Sequence, residues 1–222
     1  MSVKRNQPEN FQTYFCTFTC LNWLHLFEIS NLYDELYKWF NILIKKGNQI
    51  EGFVMMPNHV HLLLFVNKNE NVNKLLANGK RFLAYEVIDR LELLQHHDIL
   101  SQLSAAVTLK EKQRNKKHRV FEISSDIKAC YTEEFLLQKL NYIHNNSVSG
   151  IWNLVAIPED YFHSSAAFYT FNQHNALQGF RVDITGSIAH RPLRETILGS
   201  NQQHPLINIT HYRDSGLILP DL

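Results

Sequence analysis

Two histidines separated by one residue stand in an otherwise apolar stretch, "MPNHVHLLLFV" at positions 56–66. If this stretch is a β-strand, His59 and His61 point to one face together with Leu63 and Phe65. Two adjacent imidazoles are a ready pair of metal ligands. The same pattern also fits two ordinary, partly exposed histidines on an open sheet face. The H-x-H spacing by itself leaves both interpretations open.

A second pair of chemically useful side chains occurs in "KLNYIHNNSVSG" at positions 139–150. Tyr142 and Asn146 are four residues apart, so a helix places them on one face, one turn from each other. An amide oxygen of Asn146 would complete a His-His-amide triad, and Tyr142 would present a phenol beside it. A phenol with a pKa of about 10 is a poor nucleophile at neutral pH. Attack becomes plausible when a divalent ion holds a substrate phosphate. The alternative for Tyr142 is a core aromatic residue packed on the sheet.

The elements that must position these residues follow from hydrophobic periodicity and turn signals. A helix over 29–46 has Ser30 or Asn31 as its candidate N-cap and Gly47 after its end. The predicted order is strand 11–20, helix 29–46, strands 49–56 and 59–66 as a hairpin, helix 71–94, strand 118–124 and helix 133–146. The first six elements predict an α+β fold, with a ferredoxin-like antiparallel sheet covered on one face by two helices. The last helix is extra to that plan and carries Tyr142.

Basic residues are concentrated in the polar region 95–117 and just after it. We call residues 110–119 the basic segment. It contains Lys110, Lys112, Arg114, Lys116, Lys117 and Arg119, opposed by Glu111 alone. Such a segment is a natural contact for a DNA backbone, and a solvated loop is the alternative. Lys80 and Arg81 are weaker candidates of the same kind.

Composition sets bounds on the class of protein. The chain has 222 residues, is 45% hydrophobic and carries a net charge of +1, enough for one filled core and without a global signature of a nucleic-acid binder. Its three cysteines indicate a reducing, cytoplasmic environment. It has neither a signal-peptide core nor a run of about 18 apolar residues. We expect one domain over 1–171, and a tail of unknown role over 172–222.

Two separated motifs resemble those of the HUH single-tyrosine transposases, specifically the REP-associated, transposase-like branch. "FVMMPNHVHLLL" (53–64) is similar to the family's V-M-P-x-H-x-H-L-L strand. "QKLNYIHNNSVSGIWNLVAIPEDYFHSSA" (138–166) is similar to Y-I-H-x-N-P-V-x-x-G followed by P-E-D-Y-x-x-S-S. The likeness spans about residues 11–169 in element order. Ser147 departs from the pattern, because the family usually has proline there.

The resemblance implies a function and a set of roles. His59 and His61 take the HUH positions, Asn146 that of the third ligand, and Tyr142 that of the nucleophile. The expected cofactor is Mg²⁺ or Mn²⁺, and the expected substrate is single-stranded or hairpin DNA. The enzyme would be a metal-dependent endonuclease and strand transferase acting in DNA transposition and recombination. It would work through a 5′-phosphotyrosine intermediate, as a monomer or homodimer, with the basic segment holding the DNA backbone.

Two other functions remain open on sequence. A non-catalytic DNA-binding descendant would keep the fold and the basic segment without forming an adduct. A metal-dependent phosphohydrolase would use the H-x-H strand without DNA. Histidine-triad hydrolases would need a third histidine at position 63, where Leu63 stands, and Glu51 is the only carboxylate near the pair in sequence. Phe121, Trp152 and Tyr161 are equivalent candidates for stacking on unpaired bases.

Overall fold

Four strands form one antiparallel sheet in the computed structural model of this protein, which describes residues 12–173. The strands are β1 (Thr13–Thr19), β2 (Gln49–Met55), β3 (His59–Phe65) and β4 (Asp126–Ala129). Their order across the sheet is β2-β3-β1-β4. Together with the helices between them, this order is the ferredoxin-like arrangement. The predicted α+β fold and the predicted β2–β3 hairpin are therefore confirmed.

Seven α-helices accompany the sheet in the described part of the chain. They are α1 (Leu26–Ile29), α2 (Tyr33–Lys45), α3 (Val72–Leu93), α4 (His97–Ala105), α5 (Leu109–Lys112), α6 (Glu133–His144) and α7 (Ala166–Phe171). Short 3₁₀ turns occur at Leu21–Trp23, Asn145–Val148 and Pro158–Asp160. The helix predicted to carry Tyr142 is α6, and Thr132 caps it by accepting a hydrogen bond from the Phe135 N–H.

The two faces of the sheet are covered by different helices. On the face of Val60 and Leu62, the Phe18 ring meets Trp39 of α2 at 5.6 Å between ring centroids. On the opposite face, the face of His61, the Phe15 ring meets Tyr142 of α6 at 5.9 Å. The sheet is thus enclosed on both sides, and the histidine strand lies at its centre.

The start of α2 differs from the prediction. Ser30 and Asn31 do not cap it, because the chain first makes the one-turn helix α1, and the Ser30 hydroxyl donates to the Leu26 carbonyl inside that turn. Leu32 occupies the N-cap position without a side-chain hydrogen bond. Gly47 follows the helix in the left-handed conformation, with φ of 81°, as its position predicted.

The fourth strand was predicted in the wrong place. Residues 118–124 make only an isolated bridge, between Phe121 and Cys20, and β4 begins at Asp126. The apolar character of Val120 and Phe121 reflects core packing instead, since both are buried and Phe121 packs edge-on against Phe18. The polar region 95–117 is also not a plain loop, because it contains α4 and α5.

Gly79 looks like a weak point of α3 in the sequence, but it has a packing role. A Cβ atom there would lie 2.3 Å from the Trp39 indole. The glycine therefore lets α2 and α3 approach each other at this point.

Residues 12–173 contain no helix that is both long and apolar enough to cross a membrane. The three cysteines are buried and free. The tail predicted over 172–222 lies outside the described residues from position 174 onward.

Candidate active site

His59 and His61 lie side by side on β3, with their ring centroids 4.7 Å apart and their planes at 79°. They face Thr19 and Thr17 of β1 across the ladder. Only 4% and 5% of their surfaces are exposed. The expectation of partly exposed histidines on an open face is wrong, because α6 covers this face of the sheet.

Hydrogen bonds fix the orientation of both imidazoles. The Asn58 amide donates its Nδ2–H to the Trp23 carbonyl at 2.8 Å, which turns Oδ1 toward His59. His59 Nδ1–H then donates to that oxygen at 2.6 Å, leaving Nε2 with a free lone pair. The Thr17 hydroxyl lies 2.7 Å from His61 Nδ1 and orients the second ring.

Burial keeps both rings neutral at pH 7. It lowers the pKa of His59 to about 4, an effect partly opposed by the Asn146 side chain. It lowers the pKa of His61 to about 3, and repulsion from His59 and Lys139 adds to this shift. Neutral imidazole is the form that binds a metal ion. The pair is therefore ready to act as ligands without first losing protons.

Asn146 supplies an oxygen atom at the same place. It stands in the 3₁₀ turn after α6 and is 7% exposed. Its Oδ1 is buried and makes no hydrogen bond with the described residues, although the side chain lies close enough to His59 to influence its pKa. Leaving a buried amide oxygen unpaired costs roughly 1–3 kcal/mol. A cation or a hydrogen-bond donor bound to this oxygen would recover that free energy.

This donor set fits a divalent cation. Between residues 12 and 173, no three His, Cys, Asp or Glu side chains are grouped for metal binding. A third ligand to the histidine pair from the described residues would be of another type, such as the buried amide oxygen of Asn146. Two imidazoles and an amide oxygen suit Mn²⁺ at least as well as Mg²⁺.

Tyr142 lies on α6 over the histidine pair. Its ring centroid is 5.1 Å from that of His61, at an angle of 72° between the planes. The residue is 49% exposed, so it is not a core aromatic residue. Its ring packs on the site while part of the side chain remains accessible to a substrate from solvent.

Lys139 is a site residue that the sequence analysis missed. Its Nζ lies 5.6 Å from the centroid of the Tyr142 ring and 5.0 Å from that of Phe15. The ammonium group therefore places a positive charge over the Tyr142 ring. Its position three residues before Tyr142 on the same helix is the signal that could have revealed it.

A close approach at Gly52 fixes the depth of α6 on the sheet. A Cβ atom on Gly52 would lie 2.6 Å from Leu140 Cδ1. Only glycine leaves room for the Leu140 side chain against β2. Tyr142 follows Leu140 two residues later on the same helix.

Hydrogen bonds through the Ser165 hydroxyl join the end of α6 to β2. His144 Nε2 lies 2.9 Å from the Ser165 hydroxyl, which also bonds to the Phe53 N–H and C=O. Burial lowers the pKa of His144 to about 3, so the ring is neutral. Tyr161 donates its hydroxyl to the Met55 carbonyl at 2.8 Å. These contacts agree with a structural role for the P-E-D-Y-x-x-S-S residues.

The basic segment is only partly free to bind an anion. Lys116 and Arg119 form ion pairs with Glu111, whereas its other four basic residues are exposed. The segment leads to Phe121, which bridges to Cys20 just beyond the end of β1 that faces His59. Its contact with DNA remains a prediction.

Lys80, a weaker candidate for the same role, is engaged within the protein. Its Nζ donates to the Glu122 carbonyl at 2.6 Å and to the Ser125 hydroxyl at 3.3 Å. The ammonium group therefore holds the loop before β4.

Comparisons with known proteins show what this fold is similar to. No protein-family model matches the sequence, and no curated protein matches it either. A solved structure of the REP-associated tyrosine transposase bound to a REP hairpin aligns with a TM-score of 0.52 and 14% identity, over 82% of this chain and 96% of that one. A candidate transposase from Deinococcus radiodurans R1 aligns with a TM-score of 0.36 and 17% identity, over 65% of this chain and 97% of that one. The first similarity shows a shared fold and agrees with the fold that the sequence resemblance implied.

Proposed function

We propose that this protein is a REP-associated, HUH-type single-tyrosine transposase that cleaves and rejoins single-stranded DNA. The observation that carries the proposal is the meeting of Tyr142 with His61, beside the unpaired Asn146 oxygen at His59. The proposed nucleophile and the three proposed ligand residues come from two motifs about eighty residues apart in the chain. The fold shared with the hairpin-bound transposase supports the same substrate class.

His59, His61 and Asn146 would hold Mg²⁺ or Mn²⁺. The bound ion would supply a Lewis acid that neutralises the charge of the scissile phosphate. The protein's contribution is to present two neutral imidazoles and one amide oxygen in fixed orientations. Asn58 and Thr17 support this arrangement, because each forms a hydrogen bond with the Nδ1 atom of one ring and so fixes its orientation.

Tyr142 would attack the phosphorus atom of the scissile phosphodiester. The phenol loses its proton, a bond forms between its oxygen and phosphorus, and the bond from phosphorus to the 3′ oxygen breaks. The products are a 5′-phosphotyrosine and a strand with a free 3′-OH, whose oxygen takes up a proton as it leaves. Lys139 assists, because its positive charge beside the Tyr142 ring attracts the negatively charged phosphate. A 3′-OH can reverse the step without ATP, since the phosphotyrosine is itself a phosphodiester.

A phosphohydrolase is less well supported. Leu63 is fully buried where a third histidine would be required. The described residues also offer no third His, Cys, Asp or Glu side chain grouped with the pair.

The test is covalent capture. Incubation with a labelled pool of single-stranded hairpins and Mn²⁺ should give a denaturant-resistant protein–DNA band. Tyr142→Phe removes only the phenolic oxygen, so DNA binding should persist while the band disappears. Tyr85→Phe and Tyr131→Phe are matched controls on other exposed tyrosines and should keep the band.

Peptide mapping of the adduct by mass spectrometry identifies the attacking residue. A nucleotide on the peptide that carries Tyr85 would overturn the assignment of the active-site helix. Hairpin binding without any adduct from the wild-type protein would instead identify a non-catalytic DNA-binding descendant.

A further inference from the structure

Two tryptophans stand against His59 without being part of the donor set. The Trp23 ring centroid is 5.8 Å from that of His59, with the planes at 69°. The Trp152 ring is 5.5 Å away at 51°, and it also packs against His25 at 5.5 Å. These rings come from two distant parts of the chain, the turn after β1 and the loop after α6. Aromatic surface is therefore gathered at the edge of the candidate active site.

Trp23 is unusual both in exposure and in backbone conformation. The residue is 61% exposed, whereas Trp39 in the core is 3% exposed. Asn22 and Trp23 both adopt left-handed backbone conformations, with φ of 51° and 59°. A bulky residue in this region is strained, and the strain persists only when surrounding contacts impose it.

The surrounding contacts that hold Trp23 also hold the active site. The Trp23 carbonyl accepts a hydrogen bond from Asn58 Nδ2, and the same Asn58 amide accepts the His59 Nδ1–H. The Asn22 N–H donates to Glu122 Oε1. The turn thus presents an exposed indole at a fixed place relative to His59, and core packing does not account for that exposure.

We propose that Trp23 and Trp152 form a stacking site for an unpaired nucleobase next to the scissile phosphate. This inference rests on the proposed function and names the part of the substrate that these rings bind. Every base has a flat π-surface, and stacking on an aromatic side chain contributes about 1–3 kcal/mol per base. A paired base is already stacked in its duplex, so the site selects single strands.

Charge complementarity favours DNA as the occupant of this aromatic surface. A strand that places a phosphate at the histidine pair has the Lys139 ammonium beside that phosphate and the tryptophans beside its bases. The sequence left three aromatic residues as equivalent candidates for base stacking. Phe121 is in the core, and the Tyr161 hydroxyl donates a hydrogen bond to the Met55 carbonyl. Trp152 is the one that lies at the site.

The intrinsic tryptophan fluorescence of the protein reports this stacking. Of its three tryptophans, Trp39 is 3% exposed in the core, so a ligand at the site changes the fluorescence of Trp23 and Trp152. The full-length protein is titrated with single-stranded oligothymidylate and with an abasic strand of equal length and charge. We expect quenching and about tenfold tighter binding for the base-bearing strand only, given the stacking energies above.

Substitutions separate stacking from folding. Trp23→Leu and Trp152→Leu should each weaken oligothymidylate binding about tenfold and leave binding of the abasic strand unchanged. Trp23→Phe and Trp152→Phe should restore most of the affinity. Tyr85→Leu is the matched control, because Tyr85 is an equally exposed aromatic residue on α3, on the other side of the sheet.

Four outcomes overturn the inference. One is equal affinity of the wild-type protein for abasic and base-bearing strands, a result that needs no variant to fold. Another is unchanged oligothymidylate binding by the leucine variants; if the Tyr142 adduct still forms, the proposed function survives without the stacking site. A fluorescence change that depends only on protein concentration would assign the surface to a second copy of the chain. A wild-type protein that binds neither strand overturns the stacking site and the proposed function together.

Discussion

The burial of His59 and His61 changes what their substitution should do. With imidazoles on an open sheet face, replacement by alanine would leave stability almost unchanged. In the structure both rings are enclosed and hydrogen-bonded. Truncation therefore leaves a cavity and an unpaired partner, and each effect destabilises a folded protein.

We expect His59→Ala and His61→Ala each to abolish Mn²⁺ binding at the candidate site and to lower the free energy of unfolding by about 1–3 kcal/mol. Calorimetric titration with Mn²⁺ measures the first effect, and urea denaturation measures the second. His97→Ala, an exposed histidine at the start of α4, is the control and should change neither. Equal Mn²⁺ binding by all three variants and the wild type would exclude this metal site.

At the scale of elements, the position of α6 decides whether the two motifs meet. The helix approaches β2 at Gly52 and is connected to it by hydrogen bonds through His144 and Ser165. A small displacement at this contact moves Tyr142 relative to the histidines. Misplacement of a reacting group by about 1 Å can cost a hundredfold in rate.

Gly52→Ala should therefore lower both stability and the rate of adduct formation. Its Cβ would lie 2.6 Å from Leu140 Cδ1, and overpacking of this kind costs typically 1–3 kcal/mol. Adding Leu140→Ala removes the clashing atom and should restore part of the rate, although it leaves a cavity. Single-turnover adduct formation and thermal unfolding are the measurements. A Gly52→Ala variant with the wild-type rate would show that α6 is not positioned by this contact.

At the scale of the whole molecule, the net charge of +1 conceals a local excess of positive charge in the basic segment. Replacing Lys110, Lys112, Lys116 and Lys117 with glutamine should weaken single-strand binding and flatten the slope of log affinity against log salt, because fewer counterions are released. Lys116 should contribute least, since it already pairs with Glu111. The control variant replaces Lys45, Lys68 and Lys74 with glutamine. These three exposed lysines lie near the other end of β3. An unchanged slope would show that the DNA lies elsewhere.

The buried histidines also predict how stability depends on pH. His59, His61 and His144 have pKa values of about 4, 3 and 3 in the folded protein, because burial disfavours their charged forms. In the unfolded chain the value is about 6.5, so below that pH the unfolded state binds protons that the folded state does not. Stability should be complete above pH 6.5 and fall by up to about 1.4 kcal/mol per pH unit for each histidine as the pH decreases.

Urea denaturation between pH 7.5 and 5 measures this slope. His163, whose pKa burial also lowers to about 4, adds a fourth contribution. His144→Gln should make the slope shallower, because one of these four histidines no longer titrates. Stability that stays constant over this range would contradict the burial of these rings.

The sequence by itself determined the features that depend on short-range periodicity. Alternation along β3 placed His59 and His61 on one face. Helical spacing placed Tyr142 and Asn146 one turn apart on a helix predicted over 133–146, but α6 ends at His144 and Asn146 lies in the 3₁₀ turn that follows. Turn residues separated β2 from β3, which identified the hairpin. Each of these follows from backbone geometry over fewer than ten residues, so no knowledge of distant contacts was required.

Only the tertiary structure decided the features that depend on which distant surfaces meet. Burial of the histidines requires α6 to cross the sheet, and the role of Gly52 requires Leu140 of that helix. The apolar residues at 118–124 suggested a strand because core packing and ladder pairing select the same residue types. Trp23 likewise carries no signal in its neighbours along the chain. Its proposed role depends on the turn that brings the Trp23 ring to His59, a contact between residues that are 36 positions apart.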